Sequence, residues 1–137
     1  MNWTLEVVCV PVSDVDRAKA FYAGQLGFAV DHDTDTGSMR IVQLTPPGSG
    51  CSIVIGTGVT GMTPGSLEGL QLVVGDLVAA HRQLVDRGVE ISEVQVFARD
   101  GLRPMQEGDD LNNAGFCWFA DPDGNKWAVQ QISSRPV

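Results

Sequence analysis

Apolar and polar positions follow two periods along this chain, and the periods alternate. From Glu6 to Val12 the residues are mostly β-branched, as a strand requires. Val15, Ala18, Phe21, Tyr22 and Leu26 then recur at helical spacing, and Gly27 stops the helix. Three strand-like runs follow, "FAVDHD", "MRIVQLT" and "CSIVIG". The same plan returns in the second half. Leu70 to Val74 reads as a strand, and Leu77, Ala80, Leu84 and Val85 as one stripe of a helix that Gly88 ends. The runs "VEISEVQVF", "GFCWFA" and "KWAVQQI" complete it. With Asp14 laid on Asp76 the halves align, so the pattern predicts two βαβββ modules, 1–57 and 70–133, joined by a Gly/Thr/Pro-rich linker at 58–69. Ser13, three residues before Asp16, predicts a capping box at the first helix.

The turns carry their own signals. In "FADPDGNKW", Phe119 to Trp127, Pro122 presets one φ, Gly124 accepts a positive one, and Asp121 and Asp123 can bond nearby amides, so an antiparallel hairpin is predicted. Residues 98–113, "ARDGLRPMQEGDDLNN", have no counterpart in the first half. A polar stretch of this length reads either as a lid or as disorder.

The chain has 137 residues, 43% of them hydrophobic, which suits one packed domain over 1–137 made of two small halves. The net charge of −8 argues against nucleic acid, whose phosphates need clustered Lys and Arg. It serves solubility and would also welcome a cationic small molecule. No apolar run is long enough to span a bilayer, and "MNWTLEVVCV" lacks the basic flank of a signal peptide, so a cytoplasmic protein without a membrane partner is expected. Cys9, Cys51 and Cys117 are odd in number and lack metal-type spacing, as reduced thiols would.

The stretches Val10 to Phe28, "VPVSDVDRAKAFYAGQLGF", Leu72 to Leu77, "LVVGDL", and Phe119 to Asn125, "FADPDGN", together resemble the vicinal oxygen chelate superfamily, the glyoxalase, bleomycin-resistance and extradiol dioxygenase group. The resemblance covers nearly the whole chain outside 98–113. It implies an α+β fold of two tandem βαβββ modules whose mixed sheets curve around a shared cleft, commonly in a homodimer. Family enzymes hold a divalent metal through His, Glu or Gln at four places. Here the corresponding places are Val7, Gly69, Ser52 and Ala128. These offer no carboxylate, imidazole or thiolate, so neither metal nor other cofactor is expected.

Strand alternation turns Val7, Cys9, Ser52, Val54, Gln71, Val73, Ala128 and Gln130 toward that cleft, with Phe116 and Trp118 as a stacking surface and Arg40 as a contact for a carboxylate or phenolate. Each has a plainer reading: Trp118 as core, Arg40 as a solvated edge charge, Gln71 as a strand hydrogen-bonder. His32, among Asp31, Asp33 and Asp35, reads as a solvated hairpin end, and His81 as the outer face of a helix. Glu107 to Asp110 form a mobile acidic rim or contact a basic ligand. Cys9 is the only titratable group on the wall and acts as a nucleophile only if a neighbour lowers its pKa. Two functions follow. The first is bleomycin-resistance-like binding or carriage of a small organic molecule. The alternative is a glyoxalase-like lyase, isomerase or cyclase that works without metal or with displaced ligands.

Overall fold

A computed structural model describes residues 1–134. The chain is α+β and divides into two compact units, Met1–Leu67 with Asp121–Asn125, and Glu68–Ala120 with the described residues from Lys126 on. In the first unit, β1 (Val7–Cys9), β2 (Ala29–Asp35), β3 (Arg40–Thr45) and β4 (Ser52–Gly56) form a sheet in the order β1-β4-β3-β2, with β1 parallel to β4 and the other pairs antiparallel. β1 is shorter than the predicted Glu6–Val12. After Val10 donates to the carbonyl of Val54, Pro11 has no N–H with which to continue the ladder.

Between β1 and β2 runs α1 (Val15–Lys19), which continues as a π-helical turn over Ala20–Gln25. Asp14 caps it by accepting from the amide of Arg17 at 3.0 Å, so the predicted Ser13 box is not what forms. Ser13 is drawn elsewhere, to the carboxylate of Asp123. In the widened turn the amide of Leu26 reaches the carbonyl of Phe21, and the adjacent rings of Phe21 and Tyr22 are both buried. Helix α1 covers the face of β3 and β4 that carries Val42, Leu44, Ile53 and Ile55, all buried.

The turn Asp121–Asn125 belongs to this unit. One Asp121 oxygen accepts from the amides of Asp123, Gly124 and Asn125; the other accepts from the Tyr22 hydroxyl at 2.8 Å and the Asn125 side-chain amide at 2.7 Å. Asn125 also donates to the carbonyl of Pro11 and accepts from the amide of Leu67. Asp121 and Asn125 are buried, and among the described residues no buried side-chain nitrogen or oxygen lacks a partner. Gly65 passes so close that a Cβ would stand 2.1 Å from the carbonyl oxygen of Asp123. Only glycine, here at φ 82°, fits there.

The second unit holds β5 (Leu70–Val74), α2 (Leu77–Asp86), β6 (Gln95–Ala98), β7 (Gly101–Pro104), β8 (Gly115–Ala120) and β9 (Lys126–Gln131). Its sheet runs β5-β9-β8-β6-β7, with β5 parallel to β9. Asp76 caps α2 by accepting from the amide of Ala79. The helix lies against β8 and β9, on the side of Cys117, Phe119, Trp127 and Val129. Residues 98–113 are not one long loop. Ala98 pairs with Gly101 across the two-residue turn Arg99 and Asp100, which closes a hairpin and adds a fifth strand. The remainder is tied by Arg103, whose two terminal nitrogens reach both oxygens of Asp109 at 2.8 and 2.9 Å, and by the amide of Gln106 on the same carboxylate. Among the described residues no helix is long and apolar enough to cross a membrane.

Replacing Asp121 with Ala strands buried partners of the carboxylate, so urea denaturation should show a loss of about 3 kcal/mol, and Tyr22→Phe a loss of about 1 kcal/mol. A change below about 0.5 kcal/mol for Asp121→Ala would remove the turn from this structural role.

The guanidinium of Arg103 and the Gln106 amide hold the Asp109 carboxyl down at about 2. A carboxyl depressed in the fold stabilises above its unfolded value of about 3.9 and loses that effect as pH falls through its folded value. Hydrogen exchange at the Gln106 amide, measured relative to Val129 in β9, should therefore lose protection between about pH 4 and pH 2. Asp109→Ala, which removes both acceptor oxygens, should show the unprotected rate throughout. Full protection at pH 2 would rule out this tie.

Candidate functional site

In the second unit, the pleat that sends Trp127 and Val129 toward α2 sends Ala128 and Gln130 the other way. Register then places Gln71 beside Ala128 and Ala128 beside Trp118; one step along, Val73, Gln130, Phe116 and Gln95 form the next row. Three rings line this face. Phe97 meets Phe116 edge-on at 5.2 Å, and Phe116 lies nearly parallel to Trp118 at 5.9 Å between centroids. Phe97 is 52% exposed and Val73 43%, while Phe116 and Trp118 are half-buried. Beside Trp118 the small Ala128 leaves a recess of about 110 Å³ that also touches Gln71, Gly69 and Lys126.

Polar groups on this face are ordered. Gln71 donates from Nε2 to Oε1 of Gln130 at 2.6 Å, and Gln130 donates from Nε2 to the carbonyl of Asn113 at 2.9 Å. Asn113 has the left-handed φ of 64°, and its amide donates to the carbonyl of Gln131. Asparagine tolerates that conformation better than most residues.

The first unit also has a face away from its helix. Val7, Ser52 and Thr45 form one row there, and Cys9, Val54, Gln43 and His32 the next. The hydroxyls of Ser52 and Thr45 are 2.6 Å apart, and Thr45 also donates to the Asp31 carboxylate. Sequence reasoning did not single out Gln43 or Thr45 and placed Asp31 only in the solvated hairpin end around His32. The two β3 residues follow from counting parity along "MRIVQLT", whereas Asp31 arrives through an irregularity between Val30 and His32 that no residue type announces.

Arg40 departs from expectation. It shares parity with Val42 and Leu44 and so stands on the helix side, paired with Asp16 of α1 and with Asp33, to which Nη2 donates at 3.0 Å. Arg40 and Lys19 hold the Asp33 carboxyl far below the usual range. The acidic run at His32 is thus partly neutralised, with Asp35 accepting from the amide of Gly37. His81 is half-buried rather than solvated, its Nε2 3.0 Å from the carbonyl of Ser92. Burial pushes the Cys117 thiol up to about 11, while Cys9 and Cys51 are half-buried free thiols. Among the described residues, no three His, Cys, Asp or Glu side chains gather where they could hold a metal ion.

The family model of the Glyoxalase/Bleomycin resistance protein/Dioxygenase superfamily matches residues 4–129. None of the curated proteins matches the chain. Among solved structures, TnmS3, an antibiotic binding protein from Streptomyces sp. CB03234, is 30% identical with a TM-score of 0.74, covering 96% of this chain and 98% of that one. A glyoxalase/bleomycin resistance protein from the same source is 30% identical, with a TM-score of 0.71 and coverage of 93% and 100%. A superfamily member from Sphaerobacter thermophilus DSM 20745 is 27% identical, with a TM-score of 0.73 and coverage of 95% and 98%. With its paired strand-helix-strand modules and a family match over nearly its full length, the chain belongs to the glyoxalase/bleomycin resistance protein/dioxygenase superfamily.

Proposed function

We propose that this protein binds a flat aromatic small molecule non-covalently against Trp118 and Phe116. The row of rings on the helix-free face of the second sheet carries the reading. Apolar rings left half-open to water cost free energy in the empty protein, and a stacked ligand recovers it. The amides of Gln71 and Gln130 border the rings and can orient such a ligand, and the net charge of −8 favours neutral or cationic molecules over anions. The likeness to an antibiotic binding protein at 30% identity points the same way.

The proposal contains no metal. Val7, Gly69 and Ala128 bring no donor side chain, and the Ser52 hydroxyl is engaged with Thr45. It contains no covalent step either. Cys9 would need a base, and His32, the histidine of its own unit, stands across β4 and β3, about 14 Å away at ordinary strand spacing. Three free thiols suit a reducing cytoplasm, and Trp3 and Leu5, 88% and 68% exposed, are apolar surface that a second copy in a homodimer would cover.

A panel of planar aromatic antibiotics and dyes should include compounds that raise the melting temperature. At about a hundred times its Kd, a ligand adds about 2.7 kcal/mol, which is roughly 5–10 °C for a chain of this size. Trp118→Ala should weaken binding of the same compounds by about 2 kcal/mol. A panel without any stabilising compound, or undiminished binding by Trp118→Ala, would overturn the proposal. Native mass spectrometry of protein purified without chelator should show a metal-free dimer; a stoichiometric divalent metal would return the chain to metal-dependent chemistry.

A further inference from the structure

A glutamine side chain presents a donor at one corner and an acceptor at the other, and rotation by half a turn exchanges them. On the aromatic face that freedom is removed. The carbonyl of Asn113 is main chain and can only accept, so the group that meets it at 2.9 Å must be the nitrogen of Gln130. The Gln130 oxygen is then turned to Gln71, and only a donor can stand 2.6 Å from it. The Gln71 nitrogen is therefore committed inward and its Oε1 is directed away from the chain of amides. The anchor is firm: the amide of Asn113 is bonded to Gln131, and the neighbouring Asn112 accepts from the amides of Ser133 and Ser134.

Gln71 borders the recess of about 110 Å³ that Ala128 leaves beside Trp118. Whole small-molecule pockets are usually several times larger, so this recess takes a ring substituent, with the ring itself on the aromatic row. We infer that Gln71 is a specificity-determining residue: its Oε1 is a fixed acceptor beside Trp118, and the molecule bound here is an aromatic carrying an O–H or N–H donor on its ring, a phenol or aryl amine. Gln130 is a positioning residue that acts through Gln71. This inference rests on the aromatic-face reading and names its ligand class.

The test compares 2-naphthol with 2-methoxynaphthalene, which share a ring system and differ in the donor, by NMR titration of the tryptophan indole signals. The wild type should bind the naphthol roughly 5- to 10-fold more tightly, the worth of one hydrogen bond. Gln71→Leu should bring the ratio to about one without loss of the methoxy compound. Gln130→Leu frees Gln71 to turn and should also shrink the ratio. Equal binding of both probes to the wild type, or a preference that survives Gln71→Leu, would overturn the inference and leave the aromatic-face reading standing. If neither probe binds, both fall.

Discussion

One buried carboxylate organises the first unit. Asp121 gives one oxygen to three amides of its own turn and the other to Tyr22 and Asn125. Asn125 in turn holds the carbonyl of Pro11, just past β1, and the amide of Leu67, in the linker. A buried charge is tolerated only when its lone pairs are filled, and this one is filled by groups from the turn and the helix. The widened turn over Ala20–Gln25 serves the same constraint, because it buries Tyr22, whose hydroxyl must reach Asp121, together with its neighbour Phe21. Ser13 leaves its predicted capping role because Asp123 draws it into the same cluster, with Arg17 beside it.

The second unit works by a division of faces. Cys117, Phe119, Trp127 and Val129 are spent on packing against α2, and the alternate positions Phe116, Trp118, Ala128 and Gln130 are left for the other side. Such a division makes the open face independent of the core: its residues are displayed by strands whose stability comes from the opposite side of the sheet. The added β7 hairpin and its Arg103–Asp109 tie lead the chain back toward Asn113, the residue whose carbonyl fixes the amides. A half-buried surface ion pair contributes little global stability, but a bidentate one confines a loop.

Most of the element order, the two glycine stops and the hairpin at 121–125 were legible, since propensity, periodicity and turn chemistry are local, whereas the cap of the first helix was expected at Ser13 and formed at Asp14. Parity along most strands was legible too, though not at Arg40, and it separates Trp118 and Phe116 from Cys117 and Phe119 once a single buried face is assumed. By itself the sequence determined two βαβββ modules and most of the residues that share a face. Only tertiary structure decided the partners. Arg40 went to the helix side because Asp16 and Asp33 stand there, the irregularity before His32 brought Asp31 to Thr45, and residues 98–113 gained a strand because β6 offered an open edge. Hydrogen-bond direction along Gln71, Gln130 and Asn113 is of the same kind. It depends on where one main-chain carbonyl falls, and that position is fixed by contacts between residues distant in sequence, which no local preference encodes.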